Sequence, residues 1–239
     1  GYPMVLLDAH FHCFSEAHLA EATIPRDDQF PAYSLREHLD GMLALHDDDE
    51  VVVVNIALSA LPTSQNVLDS LEELSELQVL YGARYTRVRC VLGTCRADEP
   101  NVANILANPL IIGARLFLST HTPATAPQAV SAAPLDELVR HGKFLELFAT
   151  DLGTLRAAVA AAPPDVPLMV DHLGAWSAPP LADYRELLTV LSERAGAVIV
   201  KGPGQRTSQF VPVIAEYAAA AIRILGPHRV LLTATDAPQ

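Results

Sequence analysis

The sequence predicts an α/β fold, a (β/α)8 TIM barrel that forms one domain over residues 1–239. Eight short apolar segments rich in β-branched residues recur along the chain, and helical patterns lie between them. The 239 residues approach the ~250 typical of one such barrel, and the 50% that are apolar suffice for a large core.

In chain order the expected strands are Met4–Leu7, Val51–Leu58, Tyr85–Leu92, Ile111–Leu118, Phe144–Phe148, Pro167–Val170, Ala197–Val200 and Arg229–Leu232. Several are continuous apolar runs, as parallel strands covered on both faces should be. The Val67–Leu80 segment has apolar residues at a 3–4 spacing, with Glu72, Glu73 and Glu76 on the other side, and predicts a helix. Leu152–Ala162 predicts another, stopped by Pro163 and Pro164, and Leu181–Arg194 and Pro212–Leu225 read the same way. Gly196 and Gly226 follow helix ends, where a left-handed cap is wanted.

Strand and helix alternating at about 30-residue spacing give βαβ units and a parallel sheet. Eight strands favour a closed barrel over an open sheet, and no G-x-G-x-x-G follows the first strand to support a dinucleotide fold. Lys201-Gly202-Pro203-Gly204 reads as a turn leaving strand 7, because Pro203 lacks the amide that a phosphate cradle needs. Two segments, Phe14–Leu35 and Ser119–Pro134, exceed ordinary connections and are expected as structureless loops roofing a cleft. The chain stops at Gln239 just after strand 8, so the expected covering helix would lie beyond it.

The net charge of −12 and the lack of any Lys/Arg cluster argue against nucleic acid as a partner. The apolar runs are too short for a membrane span, and no signal-peptide pattern opens the sequence. Cys13, Cys90 and Cys95 are odd in number and form no C-x-x-C, which fits a reducing cytoplasm. Cys13 follows two histidines, but reads first as a small buried residue. A small-molecule substrate is expected, and assembly into a homo-oligomer is left open.

The chemistry is expected at strand ends, where barrel enzymes place it. Asp8-Ala9-His10-Phe11-His12 closes strand 1, and alternation puts His10 and His12 on one face, with Asp8 on the same side one layer deeper. His172, in Asp171-His172-Leu173-Gly174, closes strand 6, while Asp171 could face outward and cap the turn. Asp236 closes strand 8, beside strand 1 in a closed barrel. Taken singly, His172 reads first as a core histidine and Asp236 as a helix-capping or turn residue. Their joint placement at the ends of strands 1, 6 and 8 carries the functional reading.

These motifs, with Gly113-Ala114-Arg115, Lys201–Arg206 and Gly226-Pro227-His228-Arg229, resemble the amidohydrolase superfamily. Within it they are most similar to the amidohydrolase-2 branch that holds the 2-pyrone-4,6-dicarboxylate and sugar-lactone lactonases. The resemblance runs from strand 1 to strand 8 and implies a barrel hydrolase that opens a lactone of a small, carboxylated molecule. By the matching motifs, His10, His12 and His172 would surround the scissile carbonyl and Asp236 would activate water. Arg115 and Arg206 would hold substrate carboxylates, with His121 close to the first. One divalent ion, zinc foremost, could sit among His10, His12, His172 and Asp236; the branch also includes metal-independent members. Strand 4 offers Arg115 rather than Lys, and strand 5 offers Glu146 rather than His, so a binuclear centre is not expected. Ala237 and Gln239 replace the branch's usual Trp and His, Gln205 replaces its Tyr, and Thr120 and His121 stand near where a second arginine would be. The same dicarboxylate substrate is therefore not expected. A decarboxylase or hydratase of the same branch, or a barrel that binds a small molecule without turnover, are the alternatives.

Overall fold

The computed structural model describes residues 4–24, 31–45, 47–204 and 207–238, with backbone alone for 207–212. Eight parallel strands pair in chain order: β1 (Val5–Phe11), β2 (Glu50–Asn55), β3 (Val88–Arg96), β4 (Ile111–Phe117), β5 (Phe144–Phe148), β6 (Leu168–Val170), β7 (Val198–Lys201) and β8 (Val230–Leu231). Main chain beyond β8 then returns to β1. Ala9 N donates to Thr233 O at 2.8 Å, Asp236 N to His10 O at 2.7 Å and His12 N to Ala237 O at 2.7 Å. The ring is thereby joined as a (β/α)8 barrel. β1 and β3 run four residues past the expected ends at Leu7 and Leu92. The apolar pattern stops where the barrel mouth turns polar, but the ladder of hydrogen bonds continues.

The helices are α1 (Glu16–Leu19), α2 (Leu35–Leu45), α3 (Gln65–Tyr81), α4 (Val102–Leu106), α5 (Ala126–Ser131), α6 (Leu135–His141), α7 (Leu152–Ala161), α8 (Leu181–Ser192) and α9 (Thr207–Leu225). Neither long connection is structureless as expected. Phe14–Leu35 contains α1, capped by the Ser15 side chain, and a Phe14–Tyr33 bridge; its residues 25–30 lie outside the described residues. Ser119–Pro134 contains α5. Gly196 does not act as a left-handed cap. α8 ends earlier, with Glu193 as its cap, and the glycine is needed for close approach, since a Cβ there would fall 3.0 Å from the carbonyls of Pro164 and Val166. Gly226 takes a positive φ of 89° with an extended ψ of 150°, so it is not a left-handed helical cap either. No helix among the described residues is long and apolar enough to cross a membrane.

The main core lies between the sheet and the helices outside it, with Ile111, Leu145, Leu168 and Val200 packed against Leu138, Leu155, Tyr184 and Leu187. A second cluster joins Phe11, Val51 and Val53 to Leu35 and Leu39 of α2. Strand alternation then sends the intervening residues inward. Leu145 and Leu147 face the outer core, so Glu146 faces the lumen; Val198 and Val200 face out, so Lys201 faces in. Lys201 is therefore the last, buried residue of β7 and not part of the expected turn.

The expected placement of Asp8 beside His10 and His12 is also corrected. The β1–β2 register shifts by one residue between Asp8 and Phe11, and such a slip reverses which face a side chain takes. Asp8 therefore joins Phe11 on the α2 side, where Asp8 Oδ2 lies 2.9 Å from His38 Nε2, and His38 stacks on Phe11 at 4.0 Å. The same carboxylate accepts from Thr235 Oγ1 at 2.6 Å, Thr235 N at 3.0 Å and His10 N at 3.2 Å, pinning the end of the chain to β1. Asp8→Ala should cost about 3 kcal/mol or more in urea unfolding, because two buried donors, from His10 and His38, and two part-buried ones, from Thr235, lose one charged acceptor. A loss under about 1 kcal/mol would show that the seam does not rely on it.

Candidate active site

His10 and His12 enter the mouth from β1 on the inner side of the register shift. Their Nε2 atoms are 3.3 Å apart, and Asp236 Oδ1 lies 3.4 Å from the first and 3.3 Å from the second. All three residues are buried. His12 Nδ1 is 2.7 Å from the carbonyl oxygen of Ile56, which can only accept. That bond places the proton on Nδ1, so in the neutral ring Nε2 presents a lone pair to the other two groups.

His172 reaches the same place by a different route. The chain leaves β6 with His172 at φ 54° and Leu173 at φ 60°, a left-handed turn that ends strand alternation. Asp171 and His172 consequently both face the lumen, which corrects the outward capping role expected for Asp171. The His172 ring lies 5.2 Å from that of His10, 4.8 Å from Trp176 and 5.6 Å from Phe148. Asp236 is itself left-handed at φ 55°. Gly204 passes so close that a Cβ would sit 2.8 Å from His172 Nδ1 and 3.2 Å from Asp236 Oδ2, leaving no room for any other residue.

Beneath the imidazoles lies a buried set of charges that the sequence reading did not assemble. Arg115 donates from Nε to Asp171 Oδ2 at 2.8 Å and from Nη1 to Ala57 O at 2.8 Å. Lys201 Nζ is 2.5 Å from Glu146 Oε2, 3.4 Å from Asp171 Oδ1 and 3.2 Å from Ala9 O. Thr94 Oγ1 donates to Glu146 Oε1 at 2.8 Å, and His10 Nδ1 stands 3.7 Å from Asp171 Oδ1. Burial and the neighbouring Asp171 push the Glu146 carboxyl above its usual range, against the pull of Lys201 and Arg115. Burial lowers His10 well below the ordinary histidine value, and Lys201, His12 and Arg115 lower it further. Burial also lowers His172, to about 4, although Asp236 opposes it. Both rings are therefore neutral at pH 7.

The donor set fits a metal ion. A tetrahedral ion with ligand atoms at about 2.0–2.1 Å has edges of about 3.3–3.4 Å. The three separations among His10 Nε2, His12 Nε2 and Asp236 Oδ1 match those edges. His172 lies outside this compact donor group, and its ring bonds the Pro203 backbone. His10, Glu146 and Asp171 form a second compact group, but the Lys201 ammonium already supplies positive charge between the two carboxylates.

A cleft of about 180 Å3 opens above His12, His172 and Asp236, walled by Arg115, Phe148 and Trp176. The architecture has counterparts among solved structures. No family model matches the sequence, and neither does any curated protein. Its fold is that of amidohydrolase structures. A protein from Acinetobacter baumannii assigned as a 2-pyrone-4,6-dicarboxylic acid hydrolase, with citric acid bound, superimposes with a TM-score of 0.68 at 19% identity over 98% of this chain and 84% of that one. A second of like assignment from Pseudomonas putida gives 0.69 at 22% identity, over 98% and 82%. An amidohydrolase 2 from Bifidobacterium longum subsp. infantis gives 0.57 at 19% identity, over 97% and 84%. At these identities the likeness establishes the fold.

Of the other expected residues, Arg115 reaches the cleft wall, whereas His121 lines a neighbouring chamber. Arg206 lies outside the described residues. Glu146 and Lys201 had a legible signal: each is a charge next to outward-facing Leu or Val in a buried strand, and so must point into the lumen. Trp176 and Phe148 had none, because only the folded chain brings them to His172.

Two outcomes follow. Lys201→Met should destabilise the protein by about 3–5 kcal/mol, because it strands Glu146 and Asp171 without their cation, and adding Glu146→Gln should recover part of that loss in urea unfolding. An equal or larger loss in the double variant would show that the charges do not compensate each other. The second outcome concerns pH. His172 has a folded value of about 4 against an ordinary 6.5, so the unfolded chain takes the proton first. In chelator-treated protein its contribution should be whole above pH 6.5 and lost as pH falls toward 4, on the order of 3 kcal/mol. His172→Asn should flatten the stability profile in that window, and an unchanged slope would contradict the burial assignment.

Proposed function

We propose that this barrel is a hydrolase that opens the cyclic ester of a small, carboxylated lactone. The observation that carries the reading is the convergence of Asp236 on His10 and His12, with His172 facing the same cleft. A carboxylate beside imidazoles at the mouth of a barrel suits attack of water on a carbonyl. Amidohydrolase-type neighbours and the citric acid bound to one of them, itself a polycarboxylate, support the class. Arg115 at the cleft wall supports a carboxylated substrate in a chain whose net charge of −12 would otherwise repel it.

Asp236 takes a proton from water as its oxygen adds to the lactone carbonyl carbon. The carbonyl oxygen gains negative charge against the Arg115 guanidinium at the cleft wall, and a ring N–H of His172 turned from Pro203 toward the cleft would add a second donor; His12 Nε2, a lone pair, faces the position a metal would take. Collapse of the adduct breaks the ring C–O bond, and the leaving alkoxide takes the proton back from Asp236. The product is an open-chain hydroxy acid. His10, His12 and Asp236 would hold one divalent ion, zinc by its preference for such N and O donors, and it would supply Lewis acidity toward the carbonyl. His10, kept neutral by burial and by the cations beneath it, orients the other two groups.

The decisive experiment is a panel of lactones and unsaturated aromatic acids, assayed before and after chelation. Acid release from a lactone is expected, with Asp236→Asn lowering kcat by about 10²–10⁴ and His172→Asn by about 10²–10³. Release of CO2 would instead identify a decarboxylase, and full turnover by Asp236→Asn would remove that residue from the base role. Saturable binding without turnover of any compound would refute the hydrolase reading.

A further inference from the structure

Two openings lie side by side at the barrel mouth. The cleft over His12, His172 and Asp236 measures about 180 Å3, and a chamber over the ends of β3 and β4 measures about 420 Å3. Both have Ser59 and Arg115 in their walls, so they adjoin. Small-molecule sites ordinarily occupy about 300–1,000 Å3. The cleft alone has room for a reacting ring but not for a long substituent.

The chamber is built for the end of an anionic chain. Arg96 closes β3, and its guanidinium carbon lies 4.8 Å from the centroid of the Phe117 ring; Arg115 lies 5.1 Å from the same centroid. Nη1 of Arg96 donates to the carbonyls of Leu58 and Leu61 at 3.3 and 2.6 Å, which fixes the fork in place. Its Nε and Nη2 donate to the two carboxylate oxygens of Asp98 at 2.8 and 3.1 Å. The Arg96 side chain is 12% exposed and held by the main chain, whereas that of Asp98 is 67% exposed, so the carboxylate is the partner free to swing into solvent and yield the fork. A fork already engaged by one carboxylate is shaped to take another. His121 Nδ1, in the same chamber wall, is buried and has no hydrogen-bond partner. Ala132 is one of several alanines that leave the wall apolar and open.

We propose that this chamber is the subsite for a carboxylate-ended aliphatic arm on the substrate, with Arg96 exchanging Asp98 for the substrate carboxylate and His121 offering a further hydrogen bond. The assignment rests on the lactonase reading of the adjoining cleft only for what lies at the other end of the arm. Glutarate, with glutaramide as its neutral counterpart, tests it by calorimetric titration of the full chain. Glutarate should bind at least about tenfold more tightly than glutaramide, as a charge-assisted fork requires. Asp98→Asn should tighten glutarate by up to about fivefold, since it removes a competing exposed ion pair. Ala132→Leu should weaken it by about tenfold by filling the chamber. Melting temperatures close to that of the parent chain show that the variants are folded. Equal affinities for the two probes, or a glutarate affinity indifferent to both substitutions, overturn the subsite. The two readings fail separately: no turnover with glutarate discrimination intact removes the lactonase and leaves the anion site, whereas lactone opening without that discrimination does the reverse.

Discussion

The seam between β1 and the chain beyond β8 is the constraint on which the site depends. Three main-chain hydrogen bonds cross it, and one of them runs from Asp236 N to His10 O, so the carboxylate and the first imidazole are set by the same ladder. Asp8 holds the seam from the outer side through Thr235 and His38. A left-handed φ of 55° at Asp236 costs energy for a residue with a side chain, and persists because neighbouring bonds over-determine it. His172 is held in the same way at φ 54°. Two of the four residues in the site therefore sit on strained backbone, Asp236 tied to the seam and His172 to a turn bonded through Ala175 N and the Tyr184 hydroxyl.

The charges below the imidazoles give the site its electrical character. Glu146 and Asp171 oppose Lys201 and Arg115, and all four are buried. Apolar residues of similar volume would often stabilise a barrel as well or better, because desolvating ions is expensive. What the charges add is a fixed positive potential close to His10, which with burial keeps that ring neutral and its nitrogens available as donors or ligands. The acidic surface of the protein does not reach this point directly, since local dipoles and ions dominate at such short range.

The mouth divides the work of recognition between two compartments. Imidazoles, a carboxylate and aromatic rings surround the smaller one; arginine, histidine and alanines surround the larger. The connection after β4, with α5, walls the larger compartment and is the kind of βα segment that varies most freely on a barrel scaffold. Reaction chemistry thus rests on strand ends fixed by the sheet, and the fit of the substrate on segments outside it.

The sequence by itself pointed to the barrel, because apolar segments at regular spacing make a parallel sheet buried on both faces, and eight of them with no dinucleotide motif favour the closed form. It also named His10, His12, His172 and Asp236, four of the residues that meet at the mouth, since polar groups at the C-terminal ends of such strands have few other places to go. Alternation could have found Glu146 and Lys201 as lumen charges from the apolar residues next to them. It could not have placed Asp8, whose side is reversed by a one-residue register shift that leaves no mark on hydropathy. Nor could it have placed Asp171, where the chain turns left-handed and two neighbouring side chains face one way. Which donors lie within 3.4 Å of one another, and which arginine faces which compartment, were decided by tertiary structure alone. Such contacts join residues more than two hundred positions apart, and their geometry is a property of strand register and turn conformation rather than of residue type.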